Sequence, residues 1–267
     1  MHSVEKSMEE NEAKRVDVNR DKLNDYDYLV QNFYRIDRTT TITPQQLNAA
    51  TLMAKNMTID NQAQGPKILI YHTHSQEGYV NSDGTAATTV VGAGDYLTTL
   101  LQDVYGIQVL HHMGEYDKES RDTAYSLAGP AIQQVLADNP SIQVVIDLHR
   151  DGVAEGTRLV TTVNGKETAK VMFFNGLSRT TTTGDITYLY NPYIEDNLAL
   201  SMQMQIAAVE RYPGYTRPVY LKGYRYNMHL CPKTLLIEVG AQTNTFEEAR
   251  NAMEPLAHIV SQVLLPQ

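Results

Sequence analysis

The fold of this chain is constrained most by a series of short apolar runs that alternate with segments of helical periodicity. Three of the runs, at 67–71, 142–148 and 234–238, predict buried strands. Between the first two lie helical patterns near 94–105 and 122–137. Parallel strands need crossover connections of this kind, and these crossovers are right-handed in almost all proteins. We therefore expect an α/β protein built on a largely parallel sheet.

The second half of the chain adds an antiparallel feature to this sheet. Asn164 and Gly165 lie between two β-rich segments, and Asn-Gly is the strongest two-residue hairpin signal. We expect the hairpin to form an antiparallel edge, which makes the sheet mixed. The remaining predictions are strands at 107–110, 159–163, 168–174 and 218–222, helices at 197–212 and 246–264, and a loop at 178–191.

The N-terminal quarter of the chain differs from the rest in composition. Residues 1–25 are charged and lack an apolar period, which is typical of disorder or of a solvated helix. Thr43-Pro44 suits the N-cap and first position of a short helix that reaches about Lys55. We therefore predict two parts, a charged N-terminal arm at 1–64 and one α/β catalytic domain at 65–267.

Composition limits the classes of function that the chain can have. Its formal charge of −9 argues against nucleic acid as the main partner, because phosphate binding needs a basic surface. The single cysteine, Cys231, excludes an internal disulfide and a cysteine-rich zinc site, and we interpret it as structural. No stretch approaches the roughly 20 apolar residues of a membrane-spanning helix.

Four polar residues lie at or just past the ends of the three predicted buried strands. His74 and Glu77 follow the first strand, His149 follows the second, and Glu238 closes the third. Open α/β sheets bind their ligands at this edge. Two imidazoles and one carboxylate form a catalytic zinc set with a fourth position for water, so we predict His74, Glu77 and His149 as ligands. Glu238 is then the predicted general base and acid.

Other ionisable residues near these strand ends are predicted to support the site. His72 lies two residues before His74, on the same side of an extended segment, so both could face the metal. We expect His72 to support the metal shell by hydrogen bonding, with a buried histidine bonded to backbone as the alternative. Asp147 and Asp151 suit orientation of the neighbouring imidazole. Arg150 is a candidate clamp for a substrate carboxylate, with a surface salt bridge as the alternative.

Several further residues have competing interpretations. His112 and Glu115 repeat the His-x-x-Glu spacing after another predicted strand, and we interpret them as part of an exposed polar loop. Glu238 has the alternative of an ion pair with a buried Arg or Lys. Asn244 precedes the last predicted helix and suits a cap region. His229 could line the cleft, although a loop position without function is the simpler interpretation.

Three stretches of the chain resemble a known family: 70–79 (IYHTHSQEGY), 146–151 (IDLHRD) and 237–244 (IEVGAQTN). Together they resemble the stage II sporulation protein P family of endospore-forming bacteria, from about Lys67 to the C-terminus. That family is similar to the type-3 zinc-dependent N-acetylmuramoyl-L-alanine amidases. The resemblance implies a mixed sheet with helices on both faces, as in zinc amidases and zinc exopeptidases, and zinc (Zn²⁺) as cofactor.

The resemblance also implies roles for individual residues. His74 and His149 match ligand histidines of the amidases. Glu238, Gly240 and Asn244 match the motif around the catalytic glutamate, which makes Asn244 a candidate for supporting the site or contacting substrate.

The chain departs from the amidase pattern at one ligand. Type-3 amidases take their ligand glutamate from the start of the helix after the first strand, where this chain has Asp95. Glu77 instead lies close to the first histidine, as in zinc carboxypeptidases. We therefore keep Glu77 as the predicted ligand, with Asp95 as the alternative.

The function implied by the resemblance is cleavage of the amide between N-acetylmuramic acid and the L-alanine of the peptidoglycan stem peptide. It further implies a membrane-anchored ectodomain that acts in engulfment between the mother cell and forespore membranes, with the anchor outside this chain. Stage II sporulation proteins D and M are the implied partners. The alternatives are a zinc endopeptidase or carboxypeptidase on stem peptides or cross-links, alone or as an added activity, and a non-catalytic wall-binding scaffold.

Overall fold

The computed structural model of the protein describes residues 17–266. The prediction for the charged segment 1–25 therefore lies outside the described residues for positions 1–16. The helices are α1 Arg20–Leu23, α2 Tyr26–Phe33, α3 Ala49–Ala54, α4 Val90–Asp103, α5 Ala124–Asp138, α6 Ile194–Arg211 and α7 Phe246–Leu264. The strands are β1 Tyr34–Ile36, β2 Ile68–Tyr71, β3 Val109–His111, β4 Val144–Asp151, β5 Val160–Val163, β6 Lys166–Ala169, β7 Val171–Gly176, β8 Arg179–Thr180, β9 Gly184–Asp185, β10 Val219–Lys222 and β11 Lys233–Ala241.

Seven of the strands form one mixed, mainly parallel sheet in the order β1-β10-β7-β11-β4-β2-β3. The strands β11, β4, β2 and β3 are parallel to one another, and so are β1, β10 and β7. The two groups meet at β7 and β11, which are antiparallel. The predicted sheet type is therefore confirmed.

The prediction of where the sheet reverses is wrong. Asn164 and Gly165, with φ of 52° and 76°, do form the tight turn of a hairpin. The hairpin, however, joins β5 to β6 in a separate two-stranded ribbon rather than at the sheet edge. The strand that runs antiparallel to β11 is β7. It is buried at every residue and lies inside the sheet, between β10 and β11.

Helices cover both faces of the sheet, as the resemblance implied. On one face α4, α6 and α7 pack against alternate strand residues such as Ile70, Ile146 and Ile237. On the other face Ala128 and Ile132 of α5 pack against residues of β2 and β4. The rest of this second face, over β1, β10, β7 and β11, is an open cavity. No helix within residues 17–266 is long and apolar enough to span a bilayer.

Two predicted helix starts are displaced in the structure. The helix predicted from Pro44 begins at Ala49, because Asn48 is the N-cap and accepts a hydrogen bond from the Thr51 N–H. The helix predicted from about residue 94 begins at Val90, where the Thr89 hydroxyl caps it. Elsewhere, Pro130 lies inside α5 without splitting it.

The described part of the arm packs onto the rest of the chain. Strand β1 extends the sheet by pairing in parallel with β10. Leu52 of α3 is buried in the main core. The division of the chain at residue 65 stays a prediction.

Candidate metal centre

The structure brings together the three side chains predicted as metal ligands. Nδ1 of His74 lies 3.7 Å from Glu77 Oε1, and Nδ1 of His149 lies 3.3 Å from Glu77 Oε2. One potential ligand atom from each residue lies within 4.8 Å of the other two. All three residues are buried, with at most 8% of their surface exposed. The arrangement follows from the topology, since β2 and β4 are parallel neighbours that end at the same sheet edge.

The carboxylate of Glu77 is held in its ionised form. Burial alone would raise the pKa of Glu77, but hydrogen bonds from His149, from the Arg150 N–H and from Arg121 lower it to about 2. The Arg150 N–H donates to Oε2 at 2.9 Å and the Arg121 guanidinium to Oε1 at 2.6 Å. The alternative ligand, Asp95, is 56% exposed and hydrogen-bonds to a different histidine. The geometry therefore favours Glu77.

The Asp147 carboxylate lies beside the His149 ring, two residues earlier on the same face of β4. His149 Nε2 lies 2.7 Å from Asp147 Oδ1. Asp147 in turn accepts hydrogen bonds from the Thr73 N–H and hydroxyl, at 2.9 and 2.6 Å. His149 Nδ1, the other ring nitrogen, lies 3.3 Å from Glu77 Oε2. Metal-binding histidines commonly have such a carboxylate behind the ring.

The electrostatics of the cluster suit a cation. Burial alone would lower the pKa of His149, but the Asp147 and Glu77 carboxylates raise it to about 10. The pKa of His74 is lowered by burial and by the nearby His149 ring. Two imidazole nitrogens and one carboxylate, turned toward a common point, are a donor set that zinc prefers, and they leave a fourth position open. The residues present therefore fit a catalytic zinc ion.

Glu238 lies on the strand next to this cluster. In the parallel pair of β11 and β4 it is the register partner of His149. Its Oε2 atom is buried and has no hydrogen-bond partner. Burial and the Asp151 carboxylate raise the pKa of Glu238 to about 8. Glu238 forms no ion pair within residues 17–266, and the nearby Arg217 donates to Asp151 instead. For these residues the interpretation of Glu238 as the partner of a buried Arg or Lys is wrong.

His72 does not reach the three ligands. It is fully buried, and its Nδ1–H donates to the Leu148 carbonyl at 2.7 Å. Its Nε2 lies 2.8 Å from Nε2 of His111. Burial lowers the pKa of His72 to about 3, so the ring is neutral. The side chain therefore ties the end of β2 to β4 immediately before His149.

Arg150 and Asn244 have roles in holding backbone. The Arg150 guanidinium donates to the carbonyls of Gly78 and Asp151, at 2.6 and 3.1 Å, which fixes the loop after Glu77. Asn244 is fully buried and accepts from the Ala241 N–H at 2.9 Å, which closes the turn after β11. The cap interpretation of Asn244 fits these contacts, and the substrate-contacting roles of both residues stay predictions.

The weaker candidates lie outside the cluster of His74, Glu77 and His149. His112 hydrogen-bonds to the Tyr116 hydroxyl, and Glu115 pairs with Lys118 at the surface. His229 is partly buried and lines a cavity beside α5. Cys231 is buried, and its thiol donates to the Gln143 carbonyl.

Two residues next to the cluster were not identified from the sequence. Arg121 contacts Glu77 across 44 positions of the chain, and no local pattern marks such a pair. The Tyr125 ring packs edge-on against His74, with 5.6 Å between centroids. Its place in the helical period of α5 gives no sign of this contact.

A family model described as Stage II sporulation protein P matches residues 2–261 of the chain. Among curated proteins, the chain is similar to stage II sporulation protein P of Bacillus subtilis (strain 168), with 26% identity over 224 residues. That match covers 76% of this chain and 52% of the relative. The chain thus spans about half the length of this relative.

Solved structures also show similarity to this chain. An N-acetylmuramoyl-L-alanine amidase from Clostridium difficile 630 matches with a TM-score of 0.45 and 14% identity, over 75% of this chain and 95% of its own. The CwlD amidase from Clostridioides difficile, solved with the GerS lipoprotein, matches with a TM-score of 0.45 and 15% identity, over 73% and 94% of the two chains. The catalytic domain of the CD27L endolysin matches with a TM-score of 0.45 and 12% identity, over 76% and 100%.

Proposed function

The chain belongs to the stage II sporulation protein P family, and on this premise we propose that it is a zinc-dependent peptidoglycan hydrolase. The bond cut is the amide between N-acetylmuramic acid and the L-alanine of the stem peptide. One observation carries the proposal: His74, Glu77 and His149 direct three metal-binding groups to one point, beside an unpartnered carboxylate on the adjacent strand.

His74, Glu77 and His149 would hold the zinc ion through their two imidazoles and one carboxylate. A zinc ion bound there would polarise the amide carbonyl and lower the pKa of water to about 7. Asp147, Arg121 and the Arg150 N–H keep the donor groups in position, which limits the reorganisation needed during the reaction.

Glu238 is the proposed proton carrier. Its carboxylate takes the proton of the attacking water and returns it to the nitrogen of L-alanine as the amide bond breaks. The pKa of about 8, set by burial and by Asp151, enables Glu238 to hold that proton near neutral pH. A cation held by the three ligands would lower this pKa, because positive charge stabilises the carboxylate.

The cellular setting is a further proposal, which family membership supports. We place the activity outside the cytoplasm, between the mother cell and forespore membranes during engulfment, with a membrane anchor outside this chain. Stage II sporulation proteins D and M are the proposed partners. Co-purification of the chain with the extracytoplasmic parts of these two proteins tests the partnership, and failure to associate would contradict it.

Product analysis tests the reaction. Purified peptidoglycan is digested with zinc-loaded wild type and with Glu238→Gln, and the muropeptides are separated and weighed by mass spectrometry. An amidase releases free stem peptides from intact glycan, and Glu238→Gln should reduce this release at least 100-fold while still binding zinc.

Other products would change the assignment. Separated cross-links with stems still attached to the sugar would identify an endopeptidase, which requires the same metal and base. Intact peptidoglycan after digestion with zinc-loaded wild type would identify a binding scaffold. Full activity of Glu238→Gln would contradict its role as proton carrier.

A further inference from the structure

An open cavity lies beside Glu238, on the half of the sheet face that α5 leaves uncovered. It has a volume of about 570 Å³. Met172 and Phe174 of β7 and the Tyr220 ring of β10 supply apolar surface along its floor. The lining is completed by Arg35, Asp151, Gly152, Arg217, Pro218, Lys222 and Glu238. We refer to this cavity, with these ten lining residues, as the basic trough.

The trough is basic in a chain whose formal charge is −9. Three cationic side chains line it: Arg35, Arg217 and Lys222. Arg217 donates to Asp151 at 2.6 Å. Among the described residues, Arg35 and Lys222 form no ion pair and no side-chain hydrogen bond, although the Asp37 carboxylate interacts electrostatically with Lys222. Both side chains therefore have donors available for an anion. The stabilisation of a charge-assisted contact is largest where the partner charge is not already neutralised.

Strand register gives the distance between these cations and the proposed reaction site. Glu238 pairs with Met172 on β7, Phe174 of β7 pairs with Tyr220 on β10, and Tyr220 pairs with Arg35 on β1. The basic residues are thus two or three strands away from Glu238 and two to four residues further along the strands, roughly 16 Å at the usual strand spacing and rise. An extended peptide spans this distance in about five residues.

We propose that the basic trough binds the peptide stem of the substrate, with Arg35 and Lys222 contacting the carboxylates of residues that follow the first alanine. This inference rests on the proposed function, because it places the scissile amide at Glu238. Stem peptides carry such carboxylates, whereas N-acetylated sugars without free acids offer the trough no anion. The sequence suggested Arg150 as the clamp for a substrate carboxylate. We assign that contact to Arg35 and Lys222, because the Arg150 guanidinium donates to backbone carbonyls.

The double variant Arg35→Gln/Lys222→Gln tests this proposal. The control is Arg38→Gln/Lys22→Gln, which removes the same charge from two exposed residues that do not line the trough. Steady-state hydrolysis is measured with soluble muropeptides whose stem carboxylates are free, and with the same muropeptides amidated. Circular dichroism melting of both variants shows whether they remain folded.

We expect the trough variant to raise KM for the free-acid substrate at least 10-fold, with kcat within about twofold of wild type, since it loses two charge-assisted contacts to the stem. Wild type and the control should prefer the free-acid substrate by the same factor, and the trough variant should lose this preference. An equal KM for both substrates in wild type would overturn the proposal about the trough, without contradicting the proposed hydrolase function.

Absence of all cleavage would instead count against the proposed function. In that case, calorimetry measures the affinity of the free stem peptide for zinc-loaded wild type, the trough variant and the control. These affinities test whether the trough binds the stem. Weaker binding to the trough variant, with unchanged binding to the control, would support the assignment. Equal binding to all three proteins would overturn it.

Discussion

At the scale of single residues, the site depends on groups that orient the ligands as much as on the ligands themselves. Asp147 lies 2.7 Å from His149 Nε2 and is itself held by Thr73, so the carboxylate has a fixed place beside the ring. Glu77 is held by Arg121 and by the Arg150 N–H. Pre-formed ligands of this kind lower the cost of ordering the site around a metal.

Asp147→Asn should weaken zinc binding about 10- to 100-fold, because Asn keeps the shape of the side chain but removes the charge that supports the imidazole. Competition with a chromophoric chelator measures the affinity. Asp117→Asn is the matched control, since Asp117 accepts from Ser75 and Gln76 of the same loop but contacts none of the three ligands. Equal losses in the two variants would contradict the role of Asp147.

Metal-free Glu238→Gln should gain stability relative to wild type as pH rises. The pKa of Glu238 is raised from 4.5 to about 8 in the folded chain by burial and Asp151, so ionisation favours the unfolded chain across this window. Wild type therefore loses stability between about pH 4.5 and 8, whereas Gln does not ionise. We expect the difference to reach about 4 kcal/mol near pH 8.

Urea unfolding at pH 5 and pH 8, in the presence of chelator, measures this difference. The exposed Glu155 supplies the control variant Glu155→Gln, whose difference from wild type should be small at both values. A Glu238→Gln difference that does not grow with pH would show that the carboxylate is not destabilised by its surroundings.

At the scale of elements, the loop after β2 and the start of α4 are packed closely enough to fix Glu77. The Val90 N–H donates to the Glu77 carbonyl at 3.0 Å, so the helix start and the ligand loop are joined directly. Gly92, in the first turn of α4, leaves no room for a side chain, since a Cβ there would lie 2.0 Å from the Ala87 carbonyl oxygen.

Gly92→Ala should therefore destabilise the fold by about 2–3 kcal/mol and weaken zinc binding, because the overlap with backbone forces α4 away from the loop. Thermal melting and zinc titration measure the two effects. Gly152→Ala is the control, as a Cβ at Gly152 meets no atom within 4 Å. An unchanged melting temperature in Gly92→Ala would contradict the packing described for this helix.

The predictions from sequence succeeded where the signal was local. The apolar runs located the three strands, although β4 and β11 run three residues further than predicted, which places His149 and Glu238 within them. Parallel topology brings these two residues and His74 to one edge. The Asn164 turn could not show where the sheet reverses, because the reversal depends on the pairing of β7 with β11, about 60 positions later. The contact of Arg121 with Glu77 is also between distant positions, so no local pattern predicts it.

At the scale of the whole molecule, charge is distributed unevenly. The chain is acidic overall, so long-range attraction will not draw it to anionic wall polymers, and recruitment by partner proteins is consistent with the proposed setting. The basic trough is a local exception beside Glu238. Strand β1, from the predicted arm, contributes Arg35 to it, which no sequence pattern indicated.

The central claim is that His74, Glu77 and His149 form a zinc site. Elemental analysis of protein purified without chelator tests it most directly, with His74→Ala and His149→Ala alongside and His112→Ala as control. We predict about one zinc per chain in wild type and in His112→Ala, and none in the other two variants. Wild type without metal, or zinc retained in both His74→Ala and His149→Ala, would contradict the account.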